Sequence, residues 1–145
     1  MNLRVTDQFV LRCDQPNIEA WPIFFQAGVQ AVMCFRKDDE SGYSLQEETD
    51  AVLASGIKEF VSIPVGGMPY DAPTEPQMEQ AIVLLRDGRK WLIHCRRGCD
   101  RTGVFAGRYR IATGWTVADA IVEAKQCGMS RFQFRMHEFL EHSKT

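Results

Sequence analysis

What most constrains this chain is the regular alternation of short apolar strands with helical stretches, each junction marked by Gly, Pro or a capping residue. Phe9-Val10-Leu11 reads as a strand, and Gln15-Pro16-Asn17 breaks it before a helix that carries Ile18, Trp21 and Phe25 and stops at Gly28. Ala31 to Phe35 reads as a buried strand; a second helix runs from about Ser44 to Ala54, and Gly56 ends it before the strand Glu59 to Val65. Thr74-Glu75-Pro76-Gln77 has the form of a capping box, with Pro76 in the first turn where a missing N–H costs nothing, and it opens a helix to about Asp87. Gly88 stops that helix, and Lys90 to His94 gives another buried strand. Three helices follow: Thr102 to Ala112; one capped by Thr116 with Val117, Ile121 and Ala124 inward; and one carrying Phe132, Met136, Phe139 and Leu140. This order predicts an α/β fold: a mostly parallel sheet of four to five strands with helices on both faces, binding its ligand at the carboxyl ends of the strands.

The 145 residues contain no repeat and no Gly/Ser-rich linker, so residues 1–145 read as one domain. A net charge of -2 gives no broad electrostatic footprint, and no nucleic-acid partner is expected. No apolar run is long enough to span a bilayer, and Met1 to Thr6 lacks the basic-then-apolar order of a signal peptide. Five cysteines, an odd number without an even framework, suit free thiols in a reducing compartment, so a cytoplasmic monomer is expected. Any anion site must be local. One candidate stretch crowds Arg96, Arg97, Arg101, Arg108 and Arg110 around a single acid, Asp100.

That stretch begins His94-Cys95-Arg96-Arg97-Gly98-Cys99-Asp100-Arg101-Thr102-Gly103, between a strand and a helix. Cys95 and Arg101 bracket five residues, a spacing at which a loop closing onto a helix start turns successive backbone N–H groups around one tetrahedral anion. Gly98 supplies the backbone freedom for the curl, with Arg96, Arg97, Cys99 and Asp100 as the other phosphate-binding positions. Arg101 adds a planar fork that can hold two phosphate oxygens at once, which Lys cannot match. The same dipoles favour a negative sulfur, so Cys95 is expected to be a thiolate that attacks phosphorus and forms a cysteinyl-phosphate, which water then hydrolyses. Thr102 is placed to donate a hydrogen bond to the sulfur, and His94 to orient the loop. A zinc site of His94, Cys95 and Cys99 is disfavoured, because structural zinc wants four ligands in paired short spacings.

The segment resembles the His-Cys-x-x-Gly-x-x-Arg-Thr-Gly loop of protein tyrosine and dual-specificity phosphatases, with every fixed position present. Leu11-Arg12-Cys13-Asp14-Gln15-Pro16 is similar to the Tyr-Arg-x-x-Gln-Pro segment of compact bacterial dual-specificity-like members. The resemblance implies a phosphomonoester hydrolase that needs no cofactor and no metal, acting on a phosphorylated protein or a small phosphomonoester. Arg96 and Arg97 resemble the basic loops of phosphatases acting on phosphoinositides and inositol phosphates, which makes those an alternative substrate class. A phosphate-binding module without turnover is the other alternative.

The family supplies a proton to the leaving group from an Asp on the loop after the preceding strand. Gly66 and Gly67 stand there instead, and Asp71 is the nearest carboxylate, on a loop rich in Gly and Pro that could close as a lid. Asp100, which resembles the acid proposed in myotubularin-like members, is the rival, and Glu75 is third. Cys34 or Cys99 could form a reversible disulfide with oxidised Cys95, while Cys13 and Cys127 read as packing residues. Met68, Tyr70, Arg97 and residues near Phe132 are the expected rim.

Overall fold

The computed structural model describes residues 1–38, 42–66 and 71–143, so Gly67 and the rim candidates Met68 and Tyr70 lie outside the described residues. Five strands, β1 (Arg4–Val5), β2 (Val10–Cys13), β3 (Ala31–Cys34), β4 (Glu59–Ser62) and β5 (Trp91–His94), form one sheet in the order β1-β2-β5-β3-β4. Only β1 runs antiparallel to its neighbour. The predicted sheet is therefore present. Its extra strand, β1, has two exposed residues and hence no alternation by which it could be recognised.

Among the described residues six α-helices cover it: α1 (Trp21–Gln26, entered through a 3-10 turn at Ile18–Ala20), α2 (Leu45–Ala54), α3 (Glu75–Leu85), α4 (Arg101–Ala112), α5 (Val117–Gln126) and α6 (Phe134–Glu141). Alternating strand residues split the core in two. Met33, Phe35 and Ile93 join Met78, Leu85, Phe105, Ala120 and Met136 of α3 to α6 on one face, where the rings of Phe35 and Phe105 stack with centroids 3.9 Å apart. Val32 and Leu92 join Trp21 and Phe24 of α1 and Val52 of α2 on the other. The predicted cap at Thr74 holds, and Ser44 supplies a second that the sequence reading did not name: each accepts from the N3 amide, and Gln77 and Glu47 reach back to complete the boxes.

Two sequence expectations are corrected. Phe25 is exposed, because the 3-10 entry rotates α1 so that Trp21 and Phe24 face the sheet instead. Phe132 is exposed and precedes α6, so it does not contribute to that helix's buried side. The register places Cys13 and Cys34 on either side of His94, so β2, β3 and β5 all end together. The loop starting at Cys95 emerges at that shared edge.

Candidate active site

The loop between β5 and α4 is held from beneath by the end of β2. The backbone N–H of Gln15 donates to the Arg96 carbonyl at 2.9 Å, and buried Arg12 donates through Nη2 to the Gly98 carbonyl at 2.9 Å. Gly98 adopts φ +76°, and a Cβ there would lie 2.6 Å from the carbonyl carbon of Cys13, so both conformation and space exclude other residues. The result is a loop curled over its own first residue: the Gly98 N–H donates to Cys95 Sγ at 3.2 Å. The sulfur is buried, and α4 starts at Arg101 with its N-terminus at the same place.

Arg101 is also buried, and its Nη1 donates to the Val65 carbonyl at 3.1 Å, which ties it to the segment after β4. Asp100 is the N-cap residue of α4, yet its carboxylate turns to the loop between α5 and α6, where Oδ1 accepts the Ser130 N–H at 2.7 Å. Arg96 and Arg97 are exposed. The apparent basic crowd is smaller than the sequence implies. Arg108 pairs with Glu75, and Arg110 pairs with Glu123 at 2.9 Å while stacking on Trp115, because successive helical positions send them to other neighbours.

Thr102 is corrected in one respect. Its hydroxyl is fully buried and, among the described residues, has no hydrogen-bond partner, because the first turn of α4 packs it inside, and the sulfur's donor is the Gly98 amide. Cys99 is half-buried and places its Sγ near the Arg97 carbonyl; burial pushes its thiol up. Asp71 is exposed and its carboxylate lies against Gly66, where a Cβ would collide with it, one residue from the Val65 carbonyl that Arg101 holds. A glycine at position 66 is what makes room for that carboxylate. Glu75 has its own task as the partner of Arg108.

Behind the loop sits a buried polar cluster that the sequence did not announce. His94 is fully buried; its Nδ1 lies 3.0 Å from the Cys95 carbonyl and its Nε2 2.6 Å from Glu48 Oε2. The other oxygen of Glu48 accepts from Gln15 Nε2 at 2.8 Å and from Arg36 Nη2 at 3.2 Å. Burial opposes charge on His94, and the electrostatic pull of Cys34 and Glu48 outweighs it, holding the ring well above the ordinary histidine value. Burial likewise opposes ionisation of Glu48, and His94, Gln15 and Arg36 together hold it below the usual carboxylate value. Cys34 is brought to this cluster, with its Sγ within 4.8 Å of the His94 and Glu48 ligand atoms, on the sheet face opposite the core that contains Cys95. Cys13 is buried, which pushes its thiol up to about 12. Arg12, Gln15 and Glu48 are the working residues whose roles were not readable; the first two were visible only as part of a family-like motif.

A mostly parallel sheet covered on both faces, with a Cys-x5-Arg loop curled between its central strand and a helix, defines the protein tyrosine phosphatase class of cysteine-based phosphatases. Within that class, the family described as DSP-PTPase phosphatase fused to NAD+ kinase matches residues 3–142, and the chain belongs to it. The dual specificity protein phosphatase TpbA of Pseudomonas aeruginosa strain UCBPP-PA14 is 28% identical over 130 residues, covering 88% of this chain and 55% of TpbA. The chain thus spans about half the length of the curated relatives it matches. The fold is shared with the core catalytic domain of the PP-IP phosphatase SIW14 from S. cerevisiae, at TM-score 0.81 and 17% identity over 99% of this chain and 86% of that one. It is shared also with Tk-PTP in its active form, at TM-score 0.77 and 22% identity over 97% and 94%. Among the described residues no helix is long and apolar enough to cross a membrane.

Proposed function

We propose that residues 1–145 act as one catalytic domain that hydrolyses phosphomonoesters through a cysteinyl-phosphate. The observation that carries this reading is the curled loop itself, with the Gly98 amide turned onto Cys95 Sγ and Arg101 buried at the start of α4. In the first step sulfur attacks phosphorus, the P–S bond forms and the bond to the leaving oxygen breaks. Asp71 donates the proton that oxygen needs. Arg101 and the loop amides hold the three equatorial oxygens as charge spreads over them. In the second step water attacks phosphorus, gives its proton back to Asp71, and the thiolate departs. These side chains complete the reaction without a cofactor. Five free cysteines support a reducing, cytoplasmic setting.

Asp71 is preferred to Asp100 because it is exposed beside Gly66, whereas Asp100 is buried and already accepts the Ser130 amide. Turnover of para-nitrophenyl phosphate and of an alkyl phosphate tests the scheme. Cys95→Ser is expected to abolish both, and Asp71→Asn to lower the alkyl phosphate rate about 100-fold or more while sparing the good leaving group. A wild-type rate as low as that of Cys95→Ser would favour a phosphate-binding module, and loss confined to Asp100→Asn would move the acid there.

A second reading concerns substrate class. Arg96 and Arg97 are exposed and, among the described residues, make no ion pair, which supports a substrate carrying a further phosphate beside the one cleaved, as an inositol phosphate or phosphoinositide does. SIW14 acts on PP-IP, and the family takes its name from fusion to an NAD+ kinase, whose product bears a phosphomonoester next to a diphosphate. A panel of phosphotyrosine and phosphoserine peptides, inositol phosphates and NADP+ discriminates these. Selectivity lost in Arg96→Ala/Arg97→Ala marks the multiply phosphorylated class, and unchanged selectivity removes it.

A further inference from the structure

The cluster behind the loop contains more charge than its position requires. A carbonyl oxygen only accepts hydrogen bonds, so the 3.0 Å contact with the Cys95 carbonyl fixes a proton on His94 Nδ1. On the other side of the ring, Glu48 Oε2 stands 2.6 Å from Nε2, while Glu48 Oε1 is already approached by two donors, from Gln15 and Arg36. A carboxyl group whose Oε1 already accepts from an amide and a guanidinium keeps its charge, so Oε2 accepts from Nε2 and the ring beside it carries two protons. The side chains that carry imidazolium, carboxylate and guanidinium are all at most 2% exposed, so salt and solvent screen them weakly.

We propose that Glu48 is a positioning residue for the phosphatase reaction: from α2 it holds His94 as an imidazolium donating from both ring nitrogens, and so keeps a fixed cation behind Cys95. This rests on the reading of Cys95 as nucleophile. The peptide unit whose carbonyl receives the Nδ1 proton has as its N–H that of Arg96, the first amide of the loop. A charged donor on one end of a peptide polarises the other, so the cation is felt at the sulfur both directly and through the loop dipoles. Arg36 anchors the carboxylate and does not replace the ring, because its bond is to Glu48 and to the Tyr43 carbonyl. The other groups facing His94 are Cys34 from β3, Cys13 from β2, the Trp21 ring from α1 with its centroid 5.9 Å away, and, beyond Glu48, the Tyr43 hydroxyl. Among the described residues Glu48 is the one carboxylate of this group. Without it the ring keeps only Cys34 to favour its charge against burial, so the balance moves toward the neutral ring while Nδ1 still donates to the Cys95 carbonyl.

Nitrogen NMR of protein labelled at its three histidines reads the ring state directly, with His137→Gln and His142→Gln supplying the assignment. Two protonated nitrogens on His94 from pH 5.5 to 8.5 are expected in the unaltered protein. One unprotonated nitrogen at pH 7 overturns the proposal, and this measurement needs no variant at position 48 to fold. The second arm follows iodoacetamide alkylation of Cys95 by mass against pH in Glu48→Gln and Glu48→Asp. The amide is expected to slow alkylation at pH 6 about tenfold and to add a second ionisation to the profile, with the shorter carboxylate restoring part of both. A Glu48→Gln profile that superimposes on the parent's also overturns it. Neither readout involves turnover, so a chain that proves to bind phosphate without hydrolysing it would sink the functional reading and leave this one standing.

Discussion

Replacing Gly98 by alanine imposes two costs at one backbone position. The residue sits at φ +76°, and the added methyl would meet the Cys13 peptide at 2.6 Å, so either β2 retreats or the loop uncurls. Strain of this kind costs about 1–3 kcal/mol, and the loop is the softer partner because β2 is paired on both sides. Gly98→Ala is therefore expected to lower kcat on para-nitrophenyl phosphate by about 100-fold or more with only a few degrees' loss in Tm; intact activity would mean that the curl does not position the sulfur. Cys95, Gly98 and Arg101 were legible in the sequence because their geometry is local, fixed by spacing within one loop. Thr102 was misread for the complementary reason: which way a side chain on the first helical turn points depends on the packing around it. Glu48, 46 positions from His94, gave no signal, since one buried acid on a helix otherwise reads as part of a solvated face.

At the scale of elements, α2 and β5 are joined by the buried Glu48–His94 pair, and the pair sets a pH window. Glu48 lies below its ordinary value of 4.5, so its contribution is complete above 4.5 and is lost as pH falls through the folded value. His94 lies well above its ordinary value of 6.5, so its contribution is complete below 6.5 and is lost as pH rises through the folded value. Both are whole between 4.5 and 6.5. Thermal melts across pH are expected to show this pair's contribution at a plateau there, and Glu48→Gln to lower that plateau by about 3–5 kcal/mol, the cost of stranding one partner of a buried pair. Equal loss at every pH would point to packing alone. The helix starts at Thr74 and Thr116 were legible as caps because caps are written in neighbouring residues, and both accept their N3 amides; Ser44, read only as a helix start, caps α2 in the same way. Helix faces were less so. The short 3-10 entry to α1 turned Phe25 outward, and a helical period counted from Ile18 cannot register that rotation.

Across the whole molecule, the anion site is assembled from distant segments: Arg12 of β2 and Gln15 beyond it, Val65 beyond β4, and Ser130 between α5 and α6 all reach the Cys95–Arg101 loop or its ends. A ligand that fills the loop should therefore steady the entire fold. Orthovanadate at about 100 times its Kd is expected to add about 2.7 kcal/mol of stability by mass action, visible as a rise in Tm that Arg101→Ala removes; an unchanged Tm in the parent protein would argue that no anion site is formed. The chain's α/β class was readable from its alternation, whereas these ties between remote loops were not, because each joins a backbone group to a side chain that any loop might have supplied. One of them has a consequence for how such proteins diversify. The link from Asp100 takes hold of the main chain at Ser130 and asks nothing of the neighbouring side chains, Arg131 and Phe132, which stand exposed at the same corner. Descendants of this fold can rewrite those two letters, and with them the company the pocket keeps, while the reactive sulfur never registers the change.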